Sequence, residues 1–152
     1  MLRFVSYLIL WFCFSFLLAS ALLLLEYVEG YKITTTEYYG LRNLGFAFVL
    51  IIVLPAIPAY PILIYPLSLL IQRIEQITRP FLVRGLIMVL LWIAAGWFLF
   101  HEMYDAGFVK QYGLNGFSAV VIFGVLGLIY VKIEHFLQMC MHKRSDPSIQ
   151  AS

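Results

Sequence analysis

Long apolar runs separated by short polar breaks set the class of this chain. Phe4 to Leu25, Leu44 to Ile71, Gly85 to Phe100 and Gly116 to Val131 each pass without a charged residue. An α-helix needs roughly 20 apolar residues to cross the hydrocarbon core of a bilayer. The first two runs reach that length unaided. The third reaches it with Phe81 to Arg84 added, and the fourth with Leu114 and Ile133. Backbone groups in lipid must find their hydrogen bonds inside the segment, which leaves helices as the spanning element. The expected fold is all-α: a polytopic membrane protein, a four-helix transmembrane bundle forming one domain over residues 1–141. Its spans lie at about 4–25, 44–71, 81–100 and 114–133. The polar stretch 142–152, with Pro147, is expected to be a disordered cytoplasmic tail.

The second run carries an internal conflict. Pro55, Pro58 and Pro61 recur at intervals of three in its middle. Each lacks a donor N–H and clashes with the carbonyl four residues back, at about 3 kcal/mol in an ordinary helix. Leu54, Ile57 and Tyr60, each preceding a proline, are pushed toward extended backbone. The second span is therefore expected to be proline-broken, with the carbonyls of Ile51, Leu54 and Ile57 seeking donors from neighbouring helices or a water-lined cavity. Freed carbonyls of this kind coordinate solutes in some transporters, so Pro55, Pro58 and Pro61 form a candidate functional break. A packing kink is the plainer reading.

Orientation follows from where cations fall between the spans. With the N-terminus inside, Arg3, Arg73, Arg79, Arg84, Lys132, Lys143 and Arg144 lie on the inner side. Lys32, Arg42 and Lys110 complete the ten Lys and Arg on the outer side. Both termini are expected to be cytoplasmic. A second run that turned back at its prolines would reverse this asymmetry, so spanning is preferred. The outer loop Glu26 to Asn43 is rich in Thr and Tyr and is expected to form a short hairpin or a lid. Its Tyr31, Tyr38 and Tyr39 are candidate partner contacts, as exposed aromatic anchors.

Composition agrees with the pattern. Hydrophobic residues make up 63% and charged residues 12%, too little polar surface to coat a water-soluble globule. The net charge of +2, spread over single cations, excludes a nucleic-acid partner. Cys13 lies inside the first run and Cys140 in the polar tail, too far apart in depth for a disulfide. Arg3 and Ala19-Ser20-Ala21 look like a secretory signal with its cleavage site. Leu22 to Leu25 continue the apolar run past that site, so a retained first helix starting at or near Met1 is expected.

The span cores as bounded above hold no ionisable residue, only weak polar groups such as Ser15, Tyr60 and Cys13. Arg84 is expected to snorkel to the headgroups. Buried ionisable groups in membranes are kept for function, so their absence argues against coupled transport and intramembrane catalysis. No catalytic, cofactor-binding or metal residue is assigned, and no cofactor is expected. His101, Glu102 and Asp105 place two ligand types four apart but lack further ligands, and read as an interface cluster. His135, Met139, Cys140 and His142 read as part of an amphipathic inner-surface helix beside Phe136. Gly116, Ala119, Gly124 and Gly127, with Ala94, Ala95 and Gly96, give the last two spans small-residue faces suited to close helix contact.

In span count, size and the Pro58-Ala59-Tyr60-Pro61 stretch, the chain resembles small four-span membrane proteins of Gram-positive bacteria grouped into families without assigned activity. That resemblance lowers the expectation of an enzyme. The reading is a multi-pass cell-membrane protein that is not an enzyme, an accessory, regulatory or immunity-type protein. Its partners are the lipid bilayer and either another membrane protein or a second copy as a homo-oligomer. The alternative is a small transporter or channel subunit using the break at Pro55 to Pro61.

Overall fold

The computed structural model describes residues 2–64, 66 and 80–145. Arg73, Arg79, the second run beyond Pro66 and the tail beyond Ser145 lie outside the described residues. The helices are α1 (Leu2–Val28), α2 (Leu41–Leu44), α3 (Phe46–Ala59), α4 (Pro80–Met103), α5 (Ala106–Tyr112) and α6 (Gly116–Ser145). No strand occurs among the described residues. Four stretches are long and apolar enough to cross a membrane: Val5–Lys32, Phe46–Leu63, Arg84–Met103 and Gly116–Leu137. The all-α polytopic fold is thus as the pattern of runs demands. α6 carries its helix to Ser145, past the boundary at which a disordered tail was expected to begin.

α1 is the hub. Extensive seams join α4 to α6, α6 to α1 and α1 to α3. Small residues build the α4–α6 seam. A Cβ on Gly96 would stand 2.5 Å from Phe123, one on Gly127 2.7 Å from Trp92, and one on Gly124 3.4 Å from Ile93. Gly96, Gly124 and Gly127 are therefore used within the chain as holes for its own large side chains. Ala94 and Ala95 lie outside this seam, and bulky Leu86, Leu90, Phe117, Val121 and Val125 face outward. Gly96→Ala is expected to destabilise by about 1–3 kcal/mol through overpacking, because Phe123 is fully enclosed. Ala94→Leu, on the exposed side, should leave thermal unfolding in detergent almost unchanged.

The prolines act more mildly than a break. The backbone stays helical through Pro55 and Pro58, and from Tyr60 to Ile64 it widens to a π-turn around Pro61. All three rings sit on the exposed face of α3. Pro61 leaves the Ile57 carbonyl without its α-helical donor, and Trp11 Nε1 of α1 donates to it at 2.6 Å. One residue earlier, the Ser15 hydroxyl donates to the Ala56 carbonyl at 3.2 Å. Trp11 thus takes the carbonyl that Pro61 releases, and the two bonds together fasten α3 to α1. Trp11→Phe, which keeps the ring but removes the donor, is expected to cost about 1 kcal/mol.

Candidate functional site

Between α3 and α4 the bundle stays open. A groove of 520 Å³ lies there, with Phe14, Leu18 and Leu22 of α1 as its floor. Its walls come from Phe48 to Leu63 on one side and Met88 to Met103 on the other. The floor is backed by an aromatic layer: Phe14 meets Trp92, Tyr60 and Tyr130 with ring centroids 5.3, 5.6 and 5.7 Å apart. Every described lining side chain is apolar or aromatic. The small residues Ala56, Ala59 and Ala95 leave the space, and the larger residues around them bound it.

One end of the groove meets a cap. Glu26 lies in the last turn of α1, where a carboxylate opposes the helix dipole, and it is 1% exposed. Donors from elsewhere offset that placement. The Tyr38 hydroxyl donates to Oε2 at 2.6 Å, the Tyr104 hydroxyl to the same oxygen at 3.0 Å, and the Leu41 N–H to Oε1 at 2.9 Å. Gly30 and Gly40 close the cradle, since a Cβ on either would run into the Glu26 carboxylate. One turn on, Glu29 accepts from Lys32 Nζ at 2.7 Å, from the Asn115 N–H at 3.0 Å and from the Ser118 hydroxyl. Two carboxylates, one in the last turn of α1 and one just past its end, thus hold both connections at this end. Glu26 takes the loop from Ile33 to Gly40 and the end of α4, and Glu29 takes the start of α6.

Burial, and then the Glu26 carboxylate beside them, push the Tyr38 and Tyr104 phenols far above the ordinary tyrosine range, so both remain donors at neutral pH. The folded state keeps these protons at a pH where the unfolded chain releases them, and stability falls as pH rises. Melting temperature should therefore drop above about pH 10, and the drop should be shallower in Tyr38→Phe. A wild-type melting temperature level between about pH 9 and 11 would contradict this reading.

At the opposite end Arg84 and Glu134 form an ion pair, 8% and 5% exposed, next to the hydrogen-bonded Tyr60 and Tyr130. This corrects one expectation: Arg84 does not snorkel but turns into the bundle. Glu26, Glu29 and Glu134 lie just beyond the charge-free runs, within the longer stretches that end at Lys32 and Leu137, and the runs themselves hold no ionisable residue. Glu134 was missed altogether.

The other sequence candidates are placed as follows. Tyr38 is 8% exposed and faces Glu26, so it is a structural donor rather than an exposed contact. Tyr31 and Tyr39 are 53% and 74% exposed, and the Arg42 guanidinium lies 5.9 Å from the Tyr31 ring centre. The Tyr31–Tyr39 loop is a lid rather than a hairpin, with Ile33 and Tyr38 tucked inward. α4 stops at Met103, so Asp105 leaves the helical register that would have set it above His101. His101 instead bonds the Trp97 carbonyl at 2.9 Å. Among the described residues no group of three or more His, Cys, Asp or Glu side chains is placed to hold a metal. Cys13 and Cys140 are both free thiols. No family model, curated protein or solved structure matches this chain.

Proposed function

We propose that this is a multi-pass protein of the cell membrane, with both termini cytoplasmic, that works without catalysis by holding another membrane component in the groove between α3 and α4. An accessory, regulatory or immunity-type role follows from that mode of action. The observation that carries the reading is the open seam itself. Three of the four helix seams in the ring are packed, and the fourth is a groove with a continuous apolar lining. No ionisable side chain lines it among the described residues, and the described lining offers no acid, base or activated nucleophile for chemistry on a bound molecule. The alternative, a small transporter or channel subunit at Pro55 to Pro61, asks for free carbonyls there. The bond from Trp11 to the Ile57 carbonyl, the one that Pro61 frees, counts against it.

A photoreactive side chain placed at Ile51 or Leu91, both groove-lining, tests the reading in cells. Discrete, saturable adducts are expected from these two sites and only diffuse labelling from Phe12, which is 73% exposed on α1. Equal labelling at all three would refute it. Orientation is tested by reporter fusions: Thr35 and Tyr112 should report outside, Gln76 and the C-terminus inside.

A further inference from the structure

Three cations stand at the lid end of the bundle: Lys32, Arg42 and Lys110. Lys32 is held by Glu29. Arg42 lies exposed on α2, and its guanidinium has no acceptor among the described residues. What it meets is a ring. The guanidinium carbon stands 5.9 Å from the centre of the Tyr31 ring, and that ring lies 5.9 Å from the ring of Tyr27. A guanidinium stacked on an aromatic face leaves its N–H edge open, and that planar fork matches the oxygens of a phosphate.

The backbone beneath Arg42 is pinned on both sides. The Leu41 N–H donates to Glu26 Oε1 at 2.9 Å. Asn43 Nδ2 donates to the Thr35 carbonyl at 3.1 Å and to the Tyr38 carbonyl at 2.5 Å. Glu26 and Tyr38 are themselves buried in the cap. An arginine on a loose loop loses chain freedom when it binds, whereas this one is mounted beforehand, which lowers the ordering cost.

Depth names the source of the phosphate. A bilayer is about 40–45 Å thick with its headgroups and about 30 Å without, so each headgroup layer is roughly 5–8 Å. Arg42 stands two residues ahead of Leu44, where the second apolar run begins, and Tyr27 stands two residues past Leu25, where the first ends. Two residues reach at most about 7 Å even when fully extended. Both therefore lie in the headgroup layer. The rings of Tyr27 and Phe46 are 68% and 74% exposed, as aromatic residues at a membrane interface are.

We propose that Arg42, stacked on Tyr31 and mounted through Leu41 and Asn43, binds the phosphate of a lipid headgroup and prefers an anionic lipid, whatever the groove between α3 and α4 holds. The preference has a simple cause. Phosphatidylcholine carries its own cation beside the phosphate and phosphatidylglycerol does not, so only in the second is the guanidinium the nearest counter-charge.

The test uses the full-length protein in detergent, titrated with phosphatidylglycerol or phosphatidylcholine of identical acyl chains, with bound lipid counted by native mass spectrometry. The ratio of the two cancels what the chains contribute elsewhere on the bundle. The wild type should prefer phosphatidylglycerol, and Arg42→Gln should reduce that preference at least about fivefold through loss of one charge-assisted pair. Tyr31→Leu keeps the charge but removes the stack, and it should lower the preference by a smaller factor. Lys110→Gln, on α5, should leave it unchanged. Thermal unfolding establishes that each variant is folded. An Arg42→Gln variant that keeps the preference overturns the proposal, as does an equal loss in Lys110→Gln, which would make net charge the cause. Inorganic phosphate at millimolar concentration should not displace the lipid; if it does, the site takes a free anion. A photoreactive side chain at Tyr39 that captures an acidic protein in cells, through an adduct lost in Arg42→Gln and with no lipid preference in detergent, would assign the surface to a protein instead.

Discussion

Glu26→Ala is expected to unfasten the whole cap and to lower the melting temperature in detergent by about 10 °C. The carboxylate accepts from Tyr38, Tyr104 and the Leu41 N–H, and nothing else in that cradle replaces it. A hydrogen bond to a charged group contributes about 1.5–3 kcal/mol. The three are not additive, because the phenols released together find partners together, so a loss on the order of 3–5 kcal/mol follows. For a chain of this size that corresponds to roughly 6–20 °C. Tyr38→Phe removes one donor and keeps the ring packed on Tyr104 and Phe108, so its loss should be about 1.5–3 kcal/mol. Opening of the lid has its own readout. A cysteine replacing Ile33, 1% exposed, should be unreactive to a water-soluble maleimide in the otherwise wild-type chain and reactive in the Glu26→Ala background. A Glu26→Ala variant that melts with the wild type and keeps that cysteine protected would show that the cap is held by packing alone.

The same geometry changes what a loop mutation means. From the sequence, Tyr38→Ala would have tested partner contact, because an exposed aromatic in a tyrosine-rich loop is a candidate anchor. In the structure it removes the closest donor to a buried carboxylate, so damage at that position reports on folding. Tyr39, 74% exposed, is the position where loss of a partner would be read without loss of the fold.

What could be read in advance depended on whether a feature is local. The spans were legible because a run of twenty apolar residues has one physical meaning in water and another in lipid, and neither depends on distant residues. The lateral contacts were not, because Phe123 opposite Gly96 and Trp11 opposite Ile57 are tertiary facts. Even so, two signals were present. Glu26 sits at the C-terminal end of an apolar helix, against its dipole, with no basic residue in that turn. Such a carboxylate needs donors from outside, and a neighbouring loop containing tyrosines and two glycines is a plausible source. Arg84 and Glu134 also lie at matching depth. Each stands roughly 18 residues from the turn that joins their helices, or about 27 Å at 1.5 Å per residue, so opposite charges on antiparallel neighbours meet. Treating Arg84 as a snorkelling end residue hid its partner. At the prolines, what no local rule supplies is the Trp11 donor of α1, which takes the carbonyl that Pro61 frees.

Because Arg84 and Glu134 are both buried, breaking their pair from one side should be among the most damaging changes in the chain. Glu134→Leu leaves the guanidinium enclosed without its carboxylate, and Arg84→Met leaves the carboxylate likewise. Each is expected to cost about 3–5 kcal/mol. The double variant Arg84→Met/Glu134→Leu removes both charges and their desolvation together, and it should recover most of that loss or exceed the wild type in stability. Arg84→Lys does not rescue, because an ammonium lacks the planar fork that matches a carboxylate. The cycle is read by thermal unfolding in detergent and by the fraction of protein that inserts. If the double variant instead loses the sum of the two single losses, the two side chains act independently and the pair is not a unit of the fold.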